Sequence, residues 1–182
     1  MQRRQFLAGL GALGMAGFAG AAEQVLRGPD VIFVPTPNDV VNMMLKLAGV
    51  TSKDVVYDLG CGDGRIVVTA AQKYGARGVG IDIDPERVAE ANDNVKKGKV
   101  EKLVKIVRGD LFEADISEAT VVTLYLLTDL NRKLRPKLWR DLKPGTRVVS
   151  HAFSMGEDWK PVRQESVQGT TVYLWQVPSQ KG

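Results

Sequence analysis

The stretch VVYDLGCGDG, residues 55–64, carries the strongest structural signal in this chain. Its first half is short, apolar and rich in β-branched side chains, which is typical of a buried strand. Gly60, Gly62 and Gly64 then let the backbone turn sharply and approach a ligand closely, because glycine has no side chain to block it. Residues 66–74 follow with helical character and end before another glycine. The sequence therefore predicts a strand, a tight turn and a helix.

The alternation of strand and helix signals continues on both sides of this stretch. Helices are expected to begin after Thr36-Pro37 and Asp84-Pro85, where a capping side chain precedes a proline at the first helical position. Further elements are predicted as strands at 78–83, 103–107, 121–127 and 147–150, a leucine-striped helix over 130–142 that Pro136 splits or kinks, and a hairpin over 162–177. We expect an α/β, Rossmann-like, doubly wound, mostly parallel seven-stranded sheet with a C-terminal antiparallel hairpin.

The composition narrows the possible chemistry. The 182 residues carry 25 Lys and Arg against 21 Asp and Glu, a net charge of +4 that is too small to indicate a nucleic-acid partner. The chain has 1 Cys and 1 His, which cannot supply a disulfide, a zinc cage or a Cys-His pair with ligands to spare. The chemistry must therefore rest on carboxylates, hydroxyls, backbone groups or a bound cofactor, with no metal and no nucleic-acid partner expected.

The N-terminal segment, residues 1–21, has the pattern of a targeting peptide. Arg3-Arg4-Gln5-Phe6-Leu7 resembles the twin-arginine (Tat) export signal, and an uncharged run ends in a small-x-small cleavage site at Ala19-Gly20-Ala21. The run is also at the short limit for spanning a bilayer. We expect a Tat-like signal peptide or membrane anchor, followed by a single domain at 22–182. That domain would be periplasmic or tethered to the cytoplasmic membrane, and a downstream start would make it cytoplasmic.

Three carboxylates follow consecutive predicted strands. Asp58 ends the first strand, Asp82 lies at the tip of the second, about 20 residues after Gly60, and Asp110 follows the third. The carboxyl ends of parallel strands share one edge of a sheet, where open α/β folds bind their ligands. Asp82 can accept hydrogen bonds from two ribose hydroxyls, and Asp110 can pair with an adenine amino group. The three acids with the glycines indicate a nucleoside site, whereas helix-capping or turn roles are the alternative for each acid alone.

These motifs resemble the class I, seven-strand S-adenosylmethionine-dependent methyltransferases over roughly residues 33–177. The motifs are Asp58-x-Gly60-x-Gly62-x-Gly64 after an apolar strand, Asp82, Asp110, and Leu142-Lys143-Pro144-Gly145 before a strand. The resemblance implies S-adenosyl-L-methionine as the cofactor. It implies the following cofactor contacts: Gly60, Cys61, Gly62 and Gly64 hold the methionine moiety, Asp58 its amino end, Asp82 the ribose, and Asp110 and the Leu111 backbone the adenine.

A dinucleotide-binding dehydrogenase is the nearest rival to this interpretation. Its fingerprint, Gly-x-Gly-x-x-Gly, requires a third glycine at position 65 or 67, depending on the register. Arg65 and Val67 stand there instead. The dehydrogenase pattern therefore fails in both registers.

A narrower resemblance concerns the methyl acceptor. Phe33-Val34-Pro35-Thr36-Pro37, DLGCGDGRIV at 58–67, and Leu124-Tyr125-Leu126-Leu127 resemble the small lysine methyltransferases related to the ATP synthase c-subunit lysine N-methyltransferase. This implies a protein lysine as the acceptor. The chain departs from that family at Asp82, where glutamate is expected, and at Cys61, where serine is common. The basic side chains over 132–140 indicate a solvated helix face or, alternatively, a surface for acidic lipids beside a membrane-associated acceptor.

Tyr125, at the end of the fourth predicted strand, is the candidate residue beside the acceptor, with simple packing as the alternative. The Asn/Asp-Pro-Pro-Tyr segment of base and glutamine methyltransferases is absent, which disfavours those acceptors. His151 is interpreted as a hydrogen-bonded structural residue and Trp159 as freer to line a substrate cleft.

Two functional hypotheses remain at this stage. The first is a methyltransferase enzyme. The second is an exported, non-catalytic nucleoside-binding module with a methyltransferase fold, kept because S-adenosylmethionine is made in the cytoplasm and export separates the chain from it.

Overall fold

The computed structural model describes Gly28 and residues 33–179. The predicted Tat-like signal or anchor, residues 1–21, lies outside the described residues. Within the described part of the chain, no helix is long and apolar enough to cross a membrane.

Helices and strands alternate along the described residues. The helices are α1 (Asn38–Leu47), α2 (Arg65–Tyr74), α3 (Pro85–Lys97) and α4 (Thr128–Asp141). The strands are β1 (Val55–Leu59), β2 (Arg77–Asp82), β3 (Val104–Arg108), β4 (Val121–Leu124), β5 (Arg147–His151), β6 (Arg163–Val167) and β7 (Thr170–Gln176).

The strands form one 7-stranded sheet in the order β3-β2-β1-β4-β5-β7-β6. Strands β1 to β5 are parallel to one another, whereas β7 pairs antiparallel with β5 and β6. The register sets Asp58 of β1 beside Thr123 of β4, and Leu124 of β4 beside Ser150 of β5. The predicted fold is confirmed, and the carboxyl ends of five parallel strands lie along one edge.

Two buried layers hold the sheet between its helices. Side chains of α1, α2 and α3 pack on one face, where Met44 and Leu45 of α1 are fully buried. On the other face, Leu134 and Leu138 of α4 pack with side chains of the segment 111–119. The sheet therefore has helices on both faces, and its carboxyl edge carries the turns between elements.

Three local expectations differ from the structure. The Thr36 hydroxyl does not cap α1; it lies 3.4 Å from His151 Nδ1, and the N-cap of α1, Pro37, makes no side-chain bond. Strand β4 ends at Leu124, so Tyr125 leaves the sheet. Pro136 does not split the leucine-striped helix: it lies within a continuous α4 on the exposed side, where the carbonyl it leaves unbonded can meet water.

The expectation that Trp159 lines a substrate cleft is wrong. Only 8% of its surface is exposed, and its carbonyl oxygen accepts a 2.7 Å hydrogen bond from Nε1 of the buried Trp175. Trp159 also packs edge-on against Trp139. Packing against Trp139 and Trp175 thus places Trp159 in the core.

Candidate cofactor site

A cavity of about 310 Å³ opens at the carboxyl ends of β1, β2 and β4. It brings together most of the residues predicted from the sequence: Asp58, Gly60, Cys61, Asp82, Asp110, Leu111 and Tyr125. The other two, Gly62 and Gly64, do not line the cavity and act on the shape of the turn. The cavity is also lined by residues that the sequence analysis did not assign to the site: Phe33, Val34, Thr36, Asp63, Arg65, Ile66, Ile81, Ile83, Asp84, Arg87, Gly109, Leu126 and Leu130.

The glycine turn, residues 60–64, owes its shape to backbone conformations that other residues rarely adopt. Gly60, Gly62 and Gly64 have φ values of +80°, +52° and +75°. The backbone amides of Gly60 and Cys61 both donate to the carbonyl of Ile81, at 2.9 and 3.0 Å. These bonds fix the turn to β2, and its last residue, Gly64, is the N-cap of α2.

Cys61 is a packing residue within this turn. A Cβ placed on Gly80 of β2 would lie 2.8 Å from the Cys61 Sγ, so the thiol fills the space that Gly80 leaves. Burial, together with the nearby Asp58 and Asp82 carboxylates, raises the pKa of the Cys61 thiol well above its ordinary value. A thiol held in its protonated form is a poor nucleophile, so Cys61 contributes shape to the site.

Asp82 is held rigidly at the tip of β2. One carboxylate oxygen accepts a hydrogen bond from the Gly62 amide at 2.7 Å, and the other accepts from the Asp84 amide at 3.0 Å. Each oxygen has a second lone pair, and the half-buried side chain lines the cavity. The carboxylate is therefore oriented to accept hydroxyl donors from a ligand.

Asp58 is a buried carboxyl group at the end of β1. Its Oδ1 accepts a 2.6 Å hydrogen bond from the Thr123 hydroxyl of β4. Burial raises the pKa of Asp58 to about 7; the bond from Thr123 opposes this rise, and the negative Asp82 and Asp63 add to it. A ligand cation reaching Asp58 would favour its ionised form.

Asp110 follows β3 at the far side of the cavity. Its Oδ1 accepts a 2.9 Å hydrogen bond from the Phe112 amide, and the Gly109 amide donates to the Asp82 carbonyl at 2.9 Å. The chain after β3 is thus fastened to β2. Leu111 joins Asp110 in lining the cavity.

A strap, defined here as residues 33–37, lies over the glycine turn. The Phe33 ring occupies the space beside Gly62, where an added Cβ would lie 2.1 Å from a ring carbon. The Arg87 guanidinium lies 5.1 Å from the centre of the same ring. Arg65 pairs with the Asp63 carboxylate at 2.6 Å and donates to the Thr36 carbonyl at 2.9 Å. The strap therefore roofs the cavity.

Tyr125 lies at the opposite end of the cavity from Asp110 along the strand order. Its ring stacks on His151 with centroids 3.9 Å apart and lies 6.0 Å from the Phe153 ring. The pKa of His151 is lowered by burial, so its imidazole is neutral near neutral pH. The sequence interpretation of His151 as a hydrogen-bonded residue agrees with its contact to Thr36.

Comparison with known proteins identifies this arrangement. The family model of the ANTKMT methyltransferase domain matches residues 58–163, more than half of the chain and the part that carries the glycine turn, Asp82, Asp110 and Tyr125. The chain belongs to this methyltransferase family. The confirmed resemblance explains why three strand ends in one sheet carry acids around a shared cavity.

Individual relatives agree with the family assignment. A protein-lysine N-methyltransferase of Saccharolobus islandicus is 49% identical over 84% of this chain and 98% of that protein. The ATP synthase c-subunit lysine N-methyltransferase of Homo sapiens is 27% identical over 86% of this chain and 66% of that protein. A solved structure described as an RNA methyltransferase from Salinibacter ruber in complex with S-adenosyl-L-homocysteine has a TM-score of 0.79 and 59% identity, covering 81% of this chain and 95% of that chain.

The chain is an S-adenosylmethionine-dependent methyltransferase, and the cavity fits that cofactor. Its floor is the glycine turn, where Gly60 has no side chain and an added Cβ would lie 3.3 Å from Leu126. Two carboxyl groups of neighbouring strands line it: Asp82 of β2, held by two backbone amides, and Asp58 of β1, buried beside other acids. These groups match a ligand with ribose hydroxyls and an ammonium group.

The Phe33 ring leaves no room for a side chain at Gly62. Gly62→Ala forces the Phe33 ring off the turn and strains a positive φ, so we expect cofactor affinity to fall by at least about tenfold. Isothermal titration calorimetry with S-adenosylhomocysteine measures it. Gly145→Ala is the matched control, because Gly145 has φ +82° with nothing within 4 Å of the added Cβ. Adding Phe33→Ala should restore part of the affinity, and equal loss in Gly62→Ala and Gly145→Ala would contradict the strap's role.

The buried Asp58 should make the stability of the folded chain depend on pH. Its folded-state pKa of about 7 exceeds the ordinary 3.8, so between these values the unfolded chain releases a proton that the folded chain keeps. The free energy of unfolding should therefore fall as pH rises from about 4 to 7, relative to Asp58→Asn, and level off above that.

Urea denaturation of the cofactor-free protein across this pH range measures the effect. Asp58→Asn keeps an oxygen for the Thr123 hydroxyl and removes the titration, so the variant should be more stable by a few kcal/mol at about pH 8. A wild-type curve parallel to the variant's curve would show that Asp58 ionises normally.

Proposed function

We propose that this chain methylates the side-chain amine of lysine in a protein acceptor. The observation that carries the proposal is the 49% identity to a protein-lysine N-methyltransferase along 98% of that relative. The sequence segments that suggested a lysine acceptor, Phe33–Pro37 and Leu124–Leu127, form the strap and the Tyr125 end of the same cavity. A protein acceptor thus agrees with both the relative and the site.

Each predicted residue receives a role in this proposal. Gly60, Cys61, Gly62 and Gly64 form the turn that accommodates the methionine part of the cofactor. Asp58 binds its ammonium group and Asp82 its ribose hydroxyls. Asp110 and the Leu111 backbone bind the adenine. Tyr125 stands beside the acceptor. The burial of Asp58 and the two amide bonds to Asp82 support the two carboxylate roles.

The chemistry asks mainly for positioning. When bound, S-adenosylmethionine supplies a methyl group already activated by a sulfonium. The protein must hold a neutral amine in line with that carbon and keep water away. The apolar Val34, Leu126 and Leu130 line the cavity and disfavour the charged ammonium by desolvation. The strap and Tyr125 close the cavity on two sides.

RNA is a second candidate acceptor, because a 59% identical structure is described as an RNA methyltransferase. The expectation of no nucleic-acid partner rests on the modest net charge of +4 and on LYLL standing in place of the Asn/Asp-Pro-Pro-Tyr segment. We favour the protein acceptor for these two reasons. Measuring transferred methyl label in RNA as well as in protein distinguishes the two acceptors.

The non-catalytic module, considered as an alternative, gains no support from the site. Its glycine turn, Asp58 and Asp82 are intact and meet at one cavity.

The basic residues over 132–140 do not support a membrane-associated acceptor. Their charges are paired within the chain. Four of them form salt bridges: Arg132 with Asp129, Arg135 with Asp158, and both Lys137 and Arg140 with Asp141. Lys133 lies over the Phe112 ring.

The acceptor prediction is tested by transfer of a radiolabelled methyl group from S-adenosylmethionine into a cell lysate. We expect label in protein, recovered after acid hydrolysis as methylated lysine, and little in RNA. Asp82→Ala is the negative control. It removes the carboxylate that accepts hydrogen bonds from the Gly62 and Asp84 amides and would bind the ribose hydroxyls, so it should lower the label strongly. Label in nuclease-sensitive material would assign RNA as the acceptor instead.

We propose that residues 1–21 direct export of the folded chain, since Arg3-Arg4 and the following apolar run fit a Tat-like signal. Residues 1–30 fused to a reporter that works only after export should deliver it. Changing both arginines to lysine should abolish delivery. A reporter that stays inside supports a cytoplasmic protein, and a membrane-bound but uncleaved fusion supports the anchor.

A further inference from the structure

The stacked pair of Tyr125 and His151 joins two neighbouring strand ends. Leu124 of β4 is in register with Ser150 of β5, so Tyr125 and His151 follow at the same level of the sheet. Their rings are nearly parallel, at 27°, with centroids 3.9 Å apart. Tyr125 has left the strand and lines the cavity, whereas His151 is the last residue of β5 and only 4% exposed. The buried ring thus supports the ring that faces the ligand.

The backbone holds His151 firmly in place. His151 pairs with Val172 of β7, and the amide of the next residue, Ala152, donates to the Thr171 carbonyl at 2.8 Å. Ala152 adopts a φ of +63°, which costs energy for a residue with a Cβ. The Phe153 amide then donates a 2.8 Å hydrogen bond to the His151 carbonyl, which closes a tight turn. This turn also brings the Phe153 ring to Tyr125.

The other side of His151 reaches the strap. Its Nδ1 lies 3.4 Å from the Thr36 hydroxyl, and Thr36 is buried although the strap residues around it are exposed. The Thr36 carbonyl accepts the bond from Arg65, which also holds Asp63 of the glycine turn. His151 is therefore where the acceptor-side tyrosine and the roof of the cofactor cavity meet.

We propose that His151 is a positioning residue for methyl transfer, which fixes the Tyr125 ring by stacking and the strap through the Thr36 hydroxyl. The proposal rests on the proposed function, because Tyr125 stands beside the acceptor in it. Stacking on one face restricts the motion of the Tyr125 ring. The distance between Tyr125 and the strap, which together position the reacting groups, therefore varies less. Small errors in such placement lower the rate far more than they lower binding.

The direct test is NMR of the intact chain labelled with ¹³C-histidine. The sequence contains 1 His, so the imidazole resonances belong to His151 without assignment. Tyr125→Leu removes the aromatic ring over the imidazole, and we expect the His151 ring protons to move downfield. Tyr125→Phe keeps the ring and should leave them nearly in place. Unchanged resonances in Tyr125→Leu would overturn the stacking, and this measurement needs no acceptor.

The kinetic test separates the two contacts of His151. His151→Ala should lower kcat about tenfold or more, with little change in the KM for the acceptor. His151→Phe restores a ring for Tyr125 to stack on and should recover most of kcat. Thr36→Val removes only the hydroxyl and should weaken S-adenosylhomocysteine binding several-fold by loosening the strap, as His151→Phe should also do. Thermal unfolding of each variant verifies that it is folded.

Two results would overturn the proposal. One is a kcat in His151→Ala equal to that of the wild type. The other is a folded His151→Phe with kcat as low as that of His151→Ala, since stacking alone would then not account for the effect. Failure of the lysine assignment looks different: label enters RNA in place of protein in the wild type, while the NMR comparison and the cofactor affinities still decide the role of His151.

Discussion

The backbone has to turn from β1 into α2 within the short span of residues 60–64 at the edge of the cavity, and the rest of the site depends on this constraint. Gly60 and Gly62 meet it with positive φ values, and the amides of Gly60 and Cys61 are fastened to β2. The same lack of a side chain at Gly62 admits the Phe33 ring. The turn thereby shapes both the floor of the cavity and the position of its roof.

Two buried aspartates, one near each end of β1, have pKa values shifted in opposite directions. Asp54, just before the strand, pairs with Arg147 and accepts hydrogen bonds from Thr51 and Thr120. Burial raises the pKa of Asp54, but these bonds and the Arg147 charge more than offset it, and the pKa lies below its ordinary value. Asp58, near the other end of the strand, is buried beside other acids and has a raised pKa. The first acid stabilises the fold, whereas the second keeps a site for a cation.

The glycine turn and the acids at the strand ends could be predicted from the sequence because they depend on local rules. A glycine pattern after an apolar strand and a carboxylate at the tip of the next strand already define neighbours in a parallel sheet. Seven of the predicted site residues line one cavity for this reason. The residue patterns alone indicated a ligand that contains a nucleoside. The family resemblance identified that ligand as S-adenosyl-L-methionine.

The contacts that close the site could not be predicted in this way. Thr36 stands before a proline and has the pattern of a helix cap, but its hydroxyl meets His151, 115 residues away in sequence. Trp159 follows a strand in a polar segment, but burial against Trp175 decides its place. Such contacts depend on how distant elements pack. Pro35 and Pro37, which flank Thr36, and the apolar Phe33-Val34 pair were the sequence signals that residues 33–37 form a fixed segment.

In the expected complex the cofactor lies over the glycine turn, between Asp58 and Asp82 and under the strap. A crystal structure of the full chain with S-adenosylhomocysteine tests this placement. We expect ligand density in this cavity, with the ribose hydroxyls on Asp82, the amino group toward Asp58 and the sulfur facing Tyr125. Density elsewhere, such as in the groove lined by Tyr57, Val79 and Val107 on the sheet face, would contradict it.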